Sequence, residues 1–239
     1  MMPNLIEPLA WDSKFFNRLV GRLKLKSVID LGSMLQLAKQ QGYELLYIYS
    51  PTRIRELVVS GYKLLDVGGH ISFEKELTNL GHNLTGSVPE LCQYKLDIPT
   101  SELLELAFLS GVSSRFKIDP LLPAGNFESL YKLWLENSLK NRPKTMICTY
   151  RSDGRDVGLI TLELHDFKCS IDLLAVSQSY QGKGIASKMI RYAQEVCIRN
   201  KLSSLEVKTQ LSNSPAKALY MKNSFVESEC SFLYHGHCV

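Results

Sequence analysis

The residues Gln181-Gly182-Lys183-Gly184-Ile185-Ala186 carry the clearest chemical signal in the chain. They follow an apolar run, Leu173-Leu174-Ala175-Val176, and precede a helix-like stretch from Ser187 to Arg199. A strand, a tight glycine turn and a new helix N-terminus together make a site for an anion. The first amides of a helix have no partner inside it and carry the positive end of its macrodipole. Glycine lets such a backbone approach a phosphate closely. Lys183 adds a cation on the phosphate side or in solvent. The expected ligand is therefore phosphorylated.

Spacing separates the families of glycine turn. A Walker A loop needs GxxxxGK followed by Ser or Thr, and the chain has none. A dinucleotide fingerprint needs a third glycine, but Ser187 stands in that place. Two further residues have chemistry to offer. Arg115, after Ser114, presents a planar fork of donors suited to a diphosphate or a carboxylate. Glu163, on the strand before the apolar run, could take a proton from a substrate ammonium, directly or through water.

The pattern Q-x-x-G-x-A after Tyr180, with the strand Ile171 to Val176 before it, resembles the acyl-CoA-binding motif of the GNAT N-acetyltransferase superfamily. That resemblance implies acetyl-CoA as co-substrate, with no metal. Its pyrophosphate would rest on the amides of Gln181, Gly182, Lys183, Gly184, Ile185 and Ala186, with Ser187 at the helix start. Its pantetheine arm would pair with the strand at Leu174 and Val176. An amide near Ala175 or Val176 would face the thioester oxygen. The segment Asn213-Ser214-Pro215-Ala216-Lys217-Ala218-Leu219-Tyr220 matches a further N-x-x-A-x-x-x-Y arrangement. It implies that Asn213 contacts coenzyme A and that Tyr220 protonates the leaving thiolate. The chemistry needs such groups. Acyl transfer from a thioester builds charge on the carbonyl oxygen and then on sulfur, where fixed amides and a proton donor stabilise it.

A narrower resemblance is to the TDP-fucosamine acetyltransferases. It rests on Tyr131 to Leu139, Leu205 to Gln210, Val226 to Tyr234, Ser114-Arg115-Phe116 and the opening stretch Ile6 to Phe16. It implies acetylation of the 4-amino group of a nucleotide-linked, TDP-linked amino-dideoxy sugar, with Arg115 on the substrate. Another small amine, a protein N-terminus, or a non-catalytic acyl-CoA-binding module remain the alternatives. Relative to that narrower group, Ser177 to Tyr180 lengthen the glycine turn.

These residues need a frame. With 239 residues the chain can form one large domain or two small ones, and 45% hydrophobic with 22% charged residues suits a globular protein. A net charge of +4 without a basic stripe gives no reason to expect nucleic acid. No apolar run reaches about 18 residues, so no membrane span is expected. The six cysteines form no CxxC pair, and no leader is visible, so a reduced cytoplasmic protein is expected. The chain could pair as a homodimer.

The stretch Thr78 to Pro99 reads as a linker with a short strand at Cys92 to Leu96. It divides a small N-terminal domain, 1–99, from an acetyltransferase domain, 100–239. Before it, strands are expected at Gly42 to Ser50 and Leu64 to Phe73, the latter broken at Gly68-Gly69, with a helix at Pro51 to Ser60. After it come helices at Ser101 to Ser110 and Asn126 to Leu139, the second capped by Asn126. Strands at Met146 to Tyr150, Val157 to Leu164 and Ser170 to Val176 follow, with a hairpin turn at Asp153-Gly154. A strand at Ser204 to Gln210, a helix at Pro215 to Lys222 and a last strand at Cys230 to His235 complete the order. His235 and His237 lie near the end, where a disordered tail is expected. The fold class is α/β with a mixed α+β sheet, in keeping with a GNAT fold and a smaller N-terminal domain. Leu57 to Lys63 can be laid on Tyr220 to Val226, so the first half is expected to be a degenerate copy of the second. Lacking the glycine turn, it would shape the sugar pocket or pack the sheet.

Overall fold

The computed structural model describes residues 6–77 and 89–239. Much of the expected linker, residues 78–88, lies outside them. The elements run β1 (Ile6–Pro8), α1 (Ala10–Phe16), β2 (Val20–Lys24), α2 (Leu31–Gln40), β3 (Leu45–Ser50), β4 (Val58–Val59), β5 (Tyr62–Glu76) and β6 (Leu91–Gln93). They continue α3 (Ser101–Ser110), α4 (Arg115–Ile118), α5 (Asn126–Lys140), β7 (Thr145–Ser152), β8 (Arg155–Leu164), β9 (Lys168–Val176) and α6 (Ile185–Arg199). Last come β10 (Ser204–Gln210), α7 (Ser214–Lys222) and β11 (Val226–Cys238). Among the described residues, no helix is long and apolar enough to cross a membrane.

Two compact units result: 1–71 with 210–212 and 229–239, and 72–209 with 213–228. The division therefore falls at Ile71–Ser72 and not at 99, because β5 runs on past the first unit and the final strand returns to it.

In the first unit, β2 and β3 pair in parallel and α2 makes the crossover between them. Leu31, Leu35 and Ala38 recur at helical spacing and are the buried face of α2. They meet Leu23, Leu46, Ile48, Tyr62 and Tyr234 in one apolar core. β3 is buried on both faces, as a strand between two others should be. Its second neighbour is β11, antiparallel, from Phe232 opposite Ser50 to His237 opposite Leu45.

The C-terminal tail is thus a buried strand and not the disordered segment its position suggested. His235 is fully buried and its ring lies 4.9 Å from that of Tyr47. The segment 51–57 is no helix either. It is irregular and leads into β4, which pairs with Tyr62 and Lys63. Ser60 and Gly61, at φ of 49° and 77°, turn that hairpin, which left-handed backbone suits. Leu57 stands in this loop, 45% exposed, so it has no helical counterpart to Tyr220. The corner after it does agree: Gly61 and Ser224 both have positive φ, and the aromatics that follow, Tyr62 and Phe225, are both buried.

In the second unit the strand order is β10-β9-β8-β7-β6. β7, β8 and β9 form an antiparallel meander, and β9 and β10 are parallel with α6 as the crossover. The hairpin turn falls at Asp153-Gly154, both at positive φ. Thr100 caps α3 by accepting from the Leu103 amide at 3.3 Å. Asn126 does not cap α5; Gly125, in the left-handed conformation, precedes the helix without a side-chain cap. Leu77, just past β5, donates its amide to the Ser203 carbonyl at the head of β10 (2.8 Å). Each unit thus contains a parallel strand–helix–strand crossover, and each takes in chain from the other half of the sequence.

β5 passes through Gly68-Gly69 without a break. Gly69 is needed for space: a Cβ there would lie 2.5 Å from the Ser231 carbonyl oxygen and 2.5 Å from Leu211 Cδ1. Backbone cannot swing aside as a side chain can. Gly69→Ala is expected to cost about 1–3 kcal/mol, read as a lower midpoint in urea unfolding. An unchanged midpoint would mean that β11 shifts at no cost.

Candidate functional site

The glycine turn joins the end of β9 to α6 through a 3-10 turn, Gln178–Tyr180. Gly182 and Gly184 have φ of +75° and +77°, and a Cβ on either would meet nothing within 4 Å. The twist of the backbone, not crowding, calls for glycine here. Gly184 precedes α6 and supplies no side-chain cap, so the first amides of a fifteen-residue helix open outward. Gln181 to Gly184 are exposed, while Ile185, Met189 and Ile190 bury the other side of the helix.

Three contacts hold the turn in shape. Gln181 Nε2 donates to the Val176 carbonyl at 2.9 Å, closing the turn onto the strand. Tyr180 donates its hydroxyl to Asp153 at 3.1 Å, and the Lys183 ammonium lies 4.7 Å from the centre of the Tyr180 ring. The four residues that lengthen the turn, Ser177 to Tyr180, therefore anchor it to the β7–β8 hairpin.

β9 has different neighbours on its two edges. Toward β8, Leu174 pairs with Ile160, Ala175 with Leu159 and Val176 with Gly158. Toward β10, the register runs from Ser204 opposite Lys168 only to Val207 opposite Ile171. β9 continues to Val176 beyond that point. The edge of Leu174, Ala175 and Val176 on that side is the kind an extended ligand can pair with as an added strand. It leads straight to the amides of the glycine turn.

Asn213 caps α7, its side-chain oxygen accepting from the Ala216 amide at 3.2 Å. Tyr220 lies on α7, 4% exposed, with Phe73 at 5.5 Å and Phe225 at 5.8 Å between ring centres. Burial pushes its phenol above the usual tyrosine value, so it stays protonated throughout the neutral range. One turn on, Asn223 donates to Ser187 Oγ at 3.1 Å and to the Leu219 carbonyl at 2.8 Å. That bond ties the helix of Tyr220 to the first turn of α6. Asn223 has no sequence signal of its own, since its partner is known only once the two helices meet.

Glu163 and Arg115 stand apart from this group. Glu163 pairs across β8–β9 with Ser170 and is held by Lys144 at 3.5 Å. Five residues of strand, roughly 16 Å, separate Ser170 from Ala175. Arg115 opens α4, half-buried, with its guanidinium 4.5 Å from the centre of the Phe116 ring. Between Glu163 and the turn lies a residue the sequence reading passed over, Asp172. β8 and β9 slip register between Thr161 and Leu162, so that Leu162 faces Ile171 and Thr161 faces Leu173. Asp172 is the extra residue of that bulge. A carboxylate within the apolar run Ile171 to Val176 was the signal available for it.

The comparisons with known proteins bear on this second unit and on the whole chain. Residues 114–225 match the Acetyltransferase (GNAT) family. Over 246 aligned positions the chain is 24% identical to the spore coat polysaccharide biosynthesis protein SpsD of Bacillus subtilis (strain 168), covering 97% of this chain and 82% of that protein. A GCN5-related N-acetyltransferase from Sphaerobacter thermophilus superposes with a TM-score of 0.60 at 14% identity, over 96% of this chain and 75% of that one. A tandem GNAT protein from the clavulanic acid biosynthesis pathway superposes with a TM-score of 0.56 at 10% identity, over 92% of this chain and 75% of that one. The parallel crossover with its glycine turn lies inside the matched segment: residues 114–225 are an acetyltransferase domain of the GNAT family, and the chain is an acyltransferase.

Proposed function

We propose that the chain transfers the acetyl group of acetyl-CoA to the 4-amino group of a nucleotide-linked amino-dideoxy sugar, with TDP as the nucleotide. The observation that carries the donor is the run from the β9 edge into the open amides of α6. Acetyl-CoA offers an extended amide-bearing arm and a pyrophosphate in the same order. Leu174 and Val176 pair with the arm, and the amides of Gln181 to Ser187 receive the pyrophosphate. No metal is required.

The acceptor reading rests on the likeness to SpsD, which spans 97% of the chain and so both units. A spore coat polysaccharide protein favours a sugar amine over a peptide. The substrate diphosphate would engage Arg115, whose fork is steadied on Phe116. The first unit has no glycine turn between β2 and α2 and takes no part in acetyl-CoA chemistry. Acetyl-CoA and nucleotide sugars place the reaction in the cytoplasm.

The chemistry is direct attack. The free amine adds to the thioester carbon, and the oxyanion meets an amide near Ala175 or Val176. The carbon–sulfur bond then breaks, and Tyr220 gives its phenol proton to the thiolate. Burial holds that proton on the phenol at neutral pH, and a proton from the acceptor nitrogen returns to the oxygen as sulfur is protonated, so that no buried phenolate is left behind. Glu163 lies farther along β8–β9, opposite Ser170, where Lys144 holds its carboxylate.

Thiol release from acetyl-CoA, measured across TDP-linked 4-amino-4,6-dideoxy sugars and short peptides, tests the acceptor. Release with a sugar is expected, and release with peptides alone would overturn the sugar reading. Tyr220→Phe should lower turnover by about a hundredfold or more and leave the acetyl-CoA Kd unchanged. Unchanged turnover would remove Tyr220 from the mechanism. Asn213→Ala should lower thermal stability by about 1 kcal/mol through loss of the cap, and weaken acetyl-CoA binding as well. Loss of stability with an unaltered Kd would leave Asn213 as a cap alone.

A further inference from the structure

We propose that Asp172, set out from β9 by the bulge, is the group that takes the proton from the acceptor's ammonium. This rests on the acetyl-transfer reading above and names the base within it. Two departures from regular sheet meet at this residue. On the β8 side the register slips, and Thr161 uses its side-chain oxygen to accept from the Leu173 amide at 2.9 Å in place of a backbone partner. On the β10 side the ladder has ended one residue earlier, at Ile171 opposite Val207. A regular register would set Lys208 beside Asp172; the ladder stops short of that pair. Asp172 therefore stands where β9 parts from β10 while it stays paired with β8 on either side of the bulge, at the start of the edge that runs along Leu174 to Val176.

The order along β9 fits the reaction. From the glycine turn the strand passes Val176, Ala175 and Leu174, where the pantetheine and thioester would lie. Asp172 comes two residues further from the pyrophosphate, about 7 Å along the strand. An amine approaching along β9 from the Ile171 end would meet Asp172 before it meets the acyl carbon. Glu163 is displaced a further two residues and already holds Lys144 at 3.5 Å.

The electrostatics support the same assignment. Asp172 is open to solvent at its surface, yet protein crowds it on its inner sides. Burial, and then the charge of Glu163, push its carboxyl up to about 7. The other titratable groups nearby on these strands are Cys169 on β9 and Glu206 and Lys208 on β10. Glu206 is engaged by Lys168 at 2.8 Å. A carboxylate with that pKa holds a proton well enough to draw it from an ammonium and releases it readily at neutral pH.

The balance is complete without another reactant. The ammonium gives one proton to the Asp172 carboxylate, leaving a neutral amine, and Asp172 passes it to water. The amine nitrogen forms its bond to the acyl carbon and the carbon–sulfur bond breaks. Tyr220 protonates sulfur, and the second nitrogen proton restores the phenol. The products are the amide, the free thiol and one proton in solution.

The test is the pH profile of kcat/KM in the thiol-release assay, with the accepted amine from the panel above. The wild-type acid limb is expected near pH 7. Asp172→Asn should lower kcat by about a hundredfold at pH 7.5 and remove that limb, with the acetyl-CoA Kd unchanged. Glu163→Gln should move the limb to lower pH, because a negative neighbour has been removed. Asp172→Asn retaining both rate and limb, or Glu163→Gln abolishing both, would overturn the assignment while leaving acetyl transfer standing. No thiol release with any amine would overturn acetyl transfer and this assignment together.

Stability gives a second readout that does not depend on activity. The folded pKa of Asp172 lies above its unfolded value near 3.8. Its carboxylate therefore weakens the fold increasingly as pH rises from 4 to about 7, and by a constant amount above that. Asp172→Asn should melt higher than wild type at pH 8, with the gap closing toward pH 4. Equal or lower melting at pH 8 would count against a poised carboxyl at this position.

Discussion

The parting of β9 from β10 governs the rest of the second unit. Parallel strands joined by a helix normally stay paired along their common length, because an open strand edge leaves backbone groups without partners. Here the ladder stops at Ile171 and Val207, although β9 goes on to Val176. The turn that follows is held by Gln181 and Tyr180, and α6 is held by its buried face from Ile185 to Cys197. Those contacts fix the end of β9 without help from β10. The edge so exposed, the amides beyond it and the bulge before it are then three results of one departure from regular pairing.

The bulge also explains why a polar residue is tolerated in an apolar strand. A regular β9 would turn Asp172 and its neighbours alternately to the two faces of the sheet, with each backbone group spoken for. The slip at Thr161 and Leu162 lets one residue leave the alternation, and Thr161 satisfies the amide that would be orphaned. Raised carboxyl pKa values of this kind weaken a fold and are found where chemistry needs them. The second unit accommodates one by leaving Asp172 exposed between the buried Ile171 and Leu173, opposite the buried run Val157 to Leu162.

The sequence made local features legible and hid those that depend on distant pairing. The glycine turn and the hairpin at Asp153-Gly154 are each specified within a few residues, and both were readable. α2 was not anticipated, although Leu31, Leu35 and Ala38 have helical spacing; Gly32 and Ser33 dilute that signal at its first turn. The segment 51–57 looked helical because Leu57 and Val58 follow polar residues, but Pro51 and the Ser60-Gly61 turn favour an irregular path into a hairpin. Asn126 has the chemistry of a cap, yet Gly125 can adopt the left-handed conformation that enters α5, and that decided the position. Within the site, Asp172 and Asn223 gain their meaning from a register slip and from a contact between helices. Neither is a property of nearby sequence. Glu163 was legible as a carboxylate on the strand before the apolar run, but its distance from Ala175 depends on register alone.

The return of β11 to the first unit has a consequence for how the protein is made. β3 is synthesised well before its antiparallel neighbour, Phe232 to His237. At typical elongation rates the gap is roughly 10–40 s. Through that interval β3, an apolar strand buried on both faces in the finished fold, has one edge uncovered. The first unit thus waits for a strand that follows most of the second unit in the chain. That edge stays open while the parallel crossover of the second unit, β9-α6-β10, already has all its residues.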